Sequence, residues 1–160
     1  GDSEGALELY EKSLGISERL GDLAGMSRSY GQMGIVKQDR GDSEGALELY
    51  EKSLGISERL GDLEVMSRSY RQMGIVKQHR GDSEGALELY EKSLGIKERL
   101  GDLAGMSKSL MAQGLVLLAL HQVDKASKAL RKGARLYDQM GLPLPQQLRD
   151  LLRKLEASKE

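Results

Sequence analysis

The chain has 160 residues, a formal net charge of −1 and no cysteine. Because the charges balance, no overall field draws the chain to nucleic acid or to an anionic membrane. The absence of cysteine excludes disulfides, thiolate zinc sites and a cysteine nucleophile, and it predicts a reducing compartment, the cytoplasm. No apolar run is long enough to cross a bilayer, and the first residues lack the basic start and apolar stretch of a signal peptide.

The composition favours an all-helical chain. Phe and Trp are absent and the six tyrosines are the only aromatic residues, so Leu, Ile, Met, Val and Ala must fill the core. Proline occurs only at Pro143 and Pro145, which leaves a long stretch without a residue that interrupts helices. We therefore expect an all-α fold with a strand content below about a tenth.

The sequence is dominated by an internal repeat. The segment GDSEGALELYEKSLGI occurs at 1–16, 41–56 and 81–96 without a substitution. The stretches 1–40 and 41–80 differ at four positions only, and a weaker fourth copy begins near Val123. A fixed period of forty residues is typical of a solenoid, in which each unit buries its apolar face against its neighbours.

Each period contains two amphipathic helices. Apolar residues recur three or four apart between Asp42 and Leu60 and again between Asp62 and His79. Between them stands Gly61, which can adopt the left-handed C-cap conformation, and Asp62 can accept hydrogen bonds from the free N–H groups of the next helix. Because loops this short make adjacent helices antiparallel, each period is predicted to form a helical hairpin.

The two ends of the chain depart from this pattern. The array is predicted to span 1–141 with seven helices, and it starts in mid-unit, without the first helix that would cover its beginning. Residues 142–160 are predicted to form a capping helix and a tail. Within Gln146–Glu156, four leucines at i, i+3, i+4 and i+7 spacing would pack on the last hairpin, namely Leu148, Leu151, Leu152 and Leu155.

The repeat resembles a tetratricopeptide repeat (TPR), of the longer forty-residue type similar to Pins-type adaptors and bacterial TPR regulators. The resemblance rests on an aromatic residue and glycines in one helix, a Gly-Asp turn, and alanine, aromatic and small residues in the next. It implies a right-handed superhelix of antiparallel hairpins in which Gly34 and Ala46 lie at close helix contacts. The residues that carry it are Tyr30-Gly31-Gln32-Met33-Gly34, Gly41-Asp42, Ala46, Tyr50, Ser53 and Leu54.

The sequence contains no recognisable catalytic, metal or cofactor motif. His79 and His121 have no neighbour at metal-ligand spacing. The glycines match neither a phosphate loop nor a dinucleotide fingerprint, and the recurring carboxylates stand beside Lys and Arg on solvated faces. A basic cluster between Lys125 and Arg135 lacks the interleaved aromatics of a nucleic-acid site. We therefore expect no enzymatic activity, no bound metal and no cofactor.

The TPR resemblance instead implies a concave groove that binds a protein or peptide. The first helix of each pair would line the groove with the face opposite its buried stripe. These side chains run from polar and basic to apolar, which predicts a partner with acidic and apolar side chains rather than nucleic acid or a membrane. The candidate groove residues are Arg28, Gln32, Ile35, Asp39, Arg68, Arg71, Gln72, Ile75, His79, Lys108, Met111 and Leu115.

An alternative hypothesis is a structural or engineered array whose main property is self-association. The uncovered first helix would present Leu7, Tyr10 and Leu14 to another molecule. Repeat arrays normally need a polar terminal cap, and an exposed apolar patch favours association. The simplest product would be a two-fold homodimer through this helix, and an exchange of terminal helices between chains is a second route.

Overall fold

The computed structural model describes residues 2–157, and these form eight helices and no strand. This confirms the expected all-α class and the expected seven repeat helices followed by one more. The helices are α1 Ser3–Leu20, α2 Leu23–Asp39, α3 Ser43–Leu60, α4 Leu63–His79, α5 Ser83–Leu100, α6 Leu103–Ala119, α7 Val123–Gln139 and α8 Gln146–Ala157.

The turns between helices follow from the Gly-Asp pairs of the sequence. Gly61 has φ +67, its N–H donates to the Glu58 carbonyl at 3.2 Å, and the Asp62 N–H donates to the Ser57 carbonyl at 2.9 Å. These two bonds form a Schellman motif, which requires the left-handed conformation that glycine adopts without strain. The Asp62 carboxylate then accepts from the Val65 N–H at 3.1 Å and caps α4.

The turn before α7 has lost both of these residues. His121 has φ +57 in the position that glycine holds elsewhere, and its N–H donates to the Leu118 carbonyl at 3.0 Å. Gln122 occupies the N-cap position of α7 but makes no side-chain capping bond. The motif therefore persists where the repeat decays, although a non-glycine residue is strained in it.

The chain divides into two compact units, Gly1–Leu89 and Tyr90–Glu160. The core of the first unit contains Ala46, Tyr50, Met73, Val76 and Leu89. In the second unit, Leu148 and Leu155 of α8 cluster with Leu130 of α7, as expected of a helix that packs on the last hairpin. The predicted division into an array at 1–141 and a cap at 142–160 stays a prediction.

Glycines allow the helices to approach closely within each unit. A Cβ atom at Gly34 would lie 2.6 Å from the Tyr50 ring, and one at Gly114 would lie 2.6 Å from the Leu130 side chain. Real Cβ atoms do not make such short contacts, so both positions require glycine with these neighbours. The sequence prediction that Gly34 lies at a close helix contact is consistent with this geometry.

Buried serines join α2 to α3, a feature that the sequence reading missed. The Ser27 hydroxyl donates to the Ser53 carbonyl at 2.9 Å, and the Ser53 hydroxyl donates to the Ser27 carbonyl at 2.8 Å. In the second unit, the Ser107 hydroxyl donates to the Gly133 carbonyl at 3.1 Å. Each bond satisfies a buried polar group, which would otherwise destabilise the fold by about 1–3 kcal/mol.

Candidate functional site

A pocket of about 180 Å³ lies in the first unit between α2, α3 and α4, and we call it the α2–α4 pocket. Helix α2 supplies Arg28, Gln32 and Ile35, and α4 supplies Arg68 and Gln72. These five belong to the predicted groove, so the structure brings part of that set to one cavity. The remaining lining residues are Ser27, Gly31, Tyr50, Ser53, Val65 and Ser69.

The pocket is open because of a glycine that differs between the repeats. A Cβ atom at Gly31 would meet only the Ser53 hydroxyl, at 3.6 Å, which is an ordinary van der Waals distance. The next copy carries Arg71 at the equivalent position. Gly31 is therefore not required by helix packing, and its missing side chain leaves the space that forms the pocket.

Two of the side chains that line the pocket are arginines. Arg28 and Arg68 are both exposed, and neither forms an ion pair with another residue between 2 and 157. Unpaired guanidinium groups can each donate two parallel hydrogen bonds to a carboxylate. Both arginines are therefore available to a partner.

Tyr50 forms a neutral, rigid part of the pocket wall. Burial raises the pKa of its phenol, the negative charge of Asp39 raises it further, and the positive charge of Arg71 opposes them. The phenol therefore stays protonated at neutral pH. Its hydroxyl donates to Oε1 of Gln38 at 2.8 Å, which fixes the orientation of the ring.

The other predicted groove residues on α2 and α4 do not line this pocket. Asp39 and His79 are exposed at the C-terminal ends of these helices, and Arg71 and Ile75 are half-buried on α4. Their role in binding stays a prediction.

Three predicted groove residues lie on α6, in the second unit: Lys108, Met111 and Leu115. Lys108 is exposed, whereas Met111 and Leu115 are half-buried. Met111 packs against the cluster of Leu130, Leu148 and Leu155, so part of its side chain already serves the core. A binding role for these three residues also stays a prediction.

The sequence predicted only five of the residues that line the pocket, and these are the exposed or half-buried ones. It missed Ser27, Tyr50, Ser53, Val65 and Ser69 as lining residues. Serines recur at the same positions of each copy, and small polar residues at helical spacing indicate a close contact between helices. That signal could have located the floor of the pocket, although the cavity itself depends on how three helices pack.

The first helix leaves apolar side chains exposed. Leu7, Tyr10 and Leu14, the residues predicted to mediate self-association, are half-buried in α1. The most exposed apolar side chains of α1 are Leu9, Ile16 and Leu20, at 67%, 50% and 76% of their full accessible area. These three leucine and isoleucine side chains lie on a different face of the helix from Leu7, Tyr10 and Leu14. Self-association through Leu7, Tyr10 and Leu14 stays a prediction.

The described part of the chain contains neither a candidate metal site nor a candidate membrane span. Between residues 2 and 157, no three His, Cys, Asp or Glu side chains are grouped so that they could hold a metal ion. Over the same residues, no helix combines the length and the hydropathy that crossing a membrane requires. The expectation of a cytoplasmic location stays a prediction.

The repeats of this chain match the model of a known protein family. The model of the family described as Tetratricopeptide repeat matches residues 1–59 and 65–139, which is more than half of the chain. The chain belongs to the tetratricopeptide repeat family. Repeats of this family are in general non-catalytic protein-interaction modules, which supports a protein-interaction repeat module here. The expected absence of enzymatic activity stays a prediction. Its sequence has no match among curated proteins.

Solved structures share the TPR-like helical solenoid, which confirms the fold class. BtubC (BKLC) from P. vanneervenii aligns with a TM-score of 0.81 and 16% identity over 99% of this chain and 67% of its own. Aspartyl phosphate phosphatase F from Bacillus subtilis gives 0.88 and 14% over 98% of this chain and 40% of its own. At these identities the likeness shows the fold alone, and this chain spans well under the full length of both proteins.

A third structure shares the repetition as well as the fold. It is described as a Podosopora anserina kinesin light chain with nearly identical TPR-like repeats. It aligns with a TM-score of 0.70 and 20% identity over 98% of this chain and 87% of its own. Near-identity between neighbouring repeats therefore occurs in another protein of this fold.

Proposed function

We propose that the chain is a non-enzymatic module that binds a partner peptide with acidic and apolar side chains at the α2–α4 pocket. The observation that carries this proposal is the combination of a cavity of about 180 Å³ and two arginines at its edge that form no ion pair with the described residues. An apolar side chain of the peptide enters the pocket, and a neighbouring carboxylate pairs with Arg28 or Arg68. Binding alone is the mechanism, because no step of chemistry is needed.

The size of the pocket favours a peptide side chain over a small-molecule ligand. Sites for drug-sized ligands have volumes of about 300–1,000 Å³, whereas this cavity has about 180 Å³. A space of that size accepts one branched or aromatic side chain. Ile35, Val65 and the Tyr50 ring provide the apolar wall against which such a side chain packs.

The arginines supply orientation and selectivity. A carboxylate that pairs with an exposed arginine gains little stability in water, but it steers the encounter and fixes the register of the peptide. The pocket and the arginines reinforce each other, because a peptide whose apolar side chain is anchored in the pocket holds its carboxylate near the guanidinium groups. A peptide with basic residues beside the anchor is rejected by the same charges.

The proposal is tested with a peptide library displayed against the purified chain. We expect enrichment of an apolar residue flanked by Asp or Glu. Replacing Arg28 and Arg68 by alanine should weaken the selected peptides about two- to thirtyfold, because each exposed ion pair contributes about 0.2–1 kcal/mol. The melting temperature should hardly change. Arg71 is a predicted groove residue that does not line the pocket, so comparing Arg71→Ala with Arg68→Ala separates the pocket from the wider groove.

A second variant fills the cavity without disturbing the fold. Gly31→Leu should abolish binding while stability is kept or raised, since the Cβ has room and leucine is a better helix former than glycine. The matched control is Gly55→Leu, because Gly55 lies on α3 with no atom within 4 Å of a Cβ. Unchanged binding in Gly31→Leu, or a library without an acidic and apolar consensus, contradicts the proposal.

Self-association through α1 is a second candidate function, supported by the exposure of Leu9, Ile16 and Leu20. Contiguous exposed apolar surface on a helix favours association. Light scattering over a concentration series tests this directly, because the monomer has a mass of 17.6 kDa. A mass that stays at the monomer value at the highest concentration contradicts it.

A further inference from the structure

One hydroxyl that lines the α2–α4 pocket has no partner. Four lining residues carry a hydroxyl, namely Ser27, Tyr50, Ser53 and Ser69. Ser27 and Ser53 exchange two hydrogen bonds, and the Tyr50 hydroxyl donates to Gln38. The Ser69 hydroxyl makes no hydrogen bond with any other residue between 2 and 157. In the described chain, Ser69 is therefore the lining hydroxyl that is left for a ligand.

This free hydroxyl belongs to a buried residue. Ser69 is only 4% exposed, so bulk water hardly reaches it. Among the described residues, the polar side-chain atoms that are fully enclosed without a partner are Ser67 Oγ and Gln113 Nε2. Because Ser69 Oγ is not one of them, it keeps contact with open space, and the open space beside it is the pocket. A buried polar group in this position favours a ligand that supplies a hydrogen bond.

The repeat explains why Ser69 lacks a partner. One period earlier, the Ser29 hydroxyl donates to Ser13 Oγ at 3.5 Å, and the same serine pairing recurs in the second unit at 3.4 Å. The matching partner of Ser69 is Ser53. The Ser53 hydroxyl instead donates to the Ser27 carbonyl at 2.8 Å. The serine that joins α2 to α3 is therefore drawn away from α4, and Ser69 stays free at the floor of the pocket.

We propose that the α2–α4 pocket selects tyrosine as the anchor side chain of the partner peptide, and that Ser69 determines this specificity. The tyrosine ring packs against Ile35 and Val65, and its hydroxyl forms a hydrogen bond with the Ser69 hydroxyl. This inference rests on the proposed function, because it names the side chain that enters the same pocket.

Tyrosine fits the pocket better than the other apolar or polar side chains. A leucine or phenylalanine would exclude water from the pocket and leave the Ser69 hydroxyl without a partner. Serine and threonine carry a hydroxyl but offer little apolar surface to the pocket wall. Tyrosine combines a large ring with a tip that both donates and accepts hydrogen bonds, whereas the larger indole of tryptophan only donates. A volume of about 180 Å³ suits a single ring.

The test uses a set of labelled peptides that differ only in the anchor. Each peptide carries two glutamates on either side of a central tyrosine, phenylalanine, leucine or tryptophan, and fluorescence anisotropy measures its binding to the full chain. The tyrosine peptide should bind about three- to tenfold more tightly than the phenylalanine peptide, which is the effect expected of one neutral hydrogen bond. Equal affinities of these two peptides, or tighter binding of the tryptophan peptide, overturn the proposal.

A double-mutant cycle assigns the preference to Ser69. In Ser69→Ala, the tyrosine peptide should bind about three- to tenfold more weakly and the phenylalanine peptide about as before, so that the ratio of their affinities falls to about one. The melting temperature should be kept or raised, since this hydroxyl has no described partner to lose and alanine is the better helix former. A preference for tyrosine that persists in Ser69→Ala means that another group binds the phenol, and overturns the proposal.

The matched control is Ser29→Ala. Ser29 is the equivalent buried serine of α2, and it does not line the α2–α4 pocket. The ratio of the tyrosine and phenylalanine affinities should therefore stay at its parent value in this variant. An equal loss of the ratio in Ser29→Ala and Ser69→Ala would indicate a general effect on helix packing and would overturn the proposal.

The same peptides separate this inference from the proposed function. If the phenylalanine and leucine peptides bind, and Gly31→Leu abolishes their binding, the pocket binds peptides as proposed. A missing preference for tyrosine would then overturn the role of Ser69 alone. If no peptide of the set binds, the proposed function and this inference are both wrong.

Discussion

Helices α1 and α3 have the same sequence in different surroundings. Asp2–Leu20 and Asp42–Leu60 are identical, and both form a helix of 18 residues with an aspartate N-cap and a left-handed glycine at the C-terminal end. In α3, however, Tyr50 is only 1% exposed and Ala46 is fully buried, whereas Ser17 is the only buried residue of α1.

This difference separates the formation of a helix from its burial by neighbouring helices. Helix formation and capping depend on residues within about one turn of each position, and identical sequences reproduce them. Burial depends on the neighbouring helix, which α2 provides for α3 and which the described residues do not provide for α1. A repeat protein therefore contains its own controls, because one substitution can be made in both surroundings.

The largest difference is expected for tyrosine. Tyr50→Ala should lower the free energy of unfolding by about 3–5 kcal/mol, as for other buried aromatic side chains, because it leaves a cavity against Gly34. Tyr10→Ala should cost about 1 kcal/mol, since its half-buried ring has fewer contacts to lose. Chemical denaturation of both variants measures the difference. Equal losses would mean that α1 is covered in solution as α3 is.

The alanine pair tests the same comparison by adding volume. Ala46 is fully buried, so Ala46→Leu should cost about 1–3 kcal/mol through overpacking at the helix contact. Ala6→Leu should stay within about 0.5 kcal/mol, because the open side of α1 can take the extra methyl groups. The midpoints of denaturation decide this, and a neutral Ala46→Leu would show that the hairpin contacts are wrong.

Much of the fold could be predicted, because helical periodicity and turn residues recur in each copy of the repeat. Periodicity located the helices to within a few residues, and the Gly61-Asp62 junction specified the turn. Periodicity placed the arginines of the candidate site on the face opposite the buried stripe, and the TPR resemblance implied that this face lines the groove. The recurring serines could have indicated the pocket floor at Ser53, but the cavity itself could not be predicted, because it depends on how three helices pack.

The serine pair is expected to give a smaller effect. Ser53→Ala removes one of the two bonds exchanged with Ser27 and leaves the Ser27 carbonyl without that partner, so a loss of about 1 kcal/mol is expected. Ser13 is exposed and accepts only a long hydrogen bond of 3.5 Å from the Ser29 hydroxyl. Ser13→Ala should therefore be nearly neutral, since alanine is also the better helix former. Thermal melts of the two variants provide the measurement. A cost at Ser13 equal to that at Ser53 would contradict the open face.

The smallest effect concerns the capping aspartates and depends on pH. Lys37 Nζ lies 2.8 Å from Asp42 Oδ2, and this hydrogen bond, with the one donated by the Gly45 N–H, lowers the pKa of Asp42 below its ordinary value of 3.8. A lowered folded pKa means that the stabilisation is complete above pH 3.8 and is lost as the pH falls through the folded pKa.

Asn caps helices nearly as well as Asp, so Asp42→Asn removes mainly the ion pair. The melting temperature of the variant should lie slightly below that of the parent at pH 6, and the gap should close on acidification below 3.8 or in 1 M salt, which screens exposed pairs. At Asp2, which has no lysine partner among the described residues, the same substitution should give no salt-dependent gap. A gap at Asp42 that persists at pH 2 would show that the ion pair is not its source.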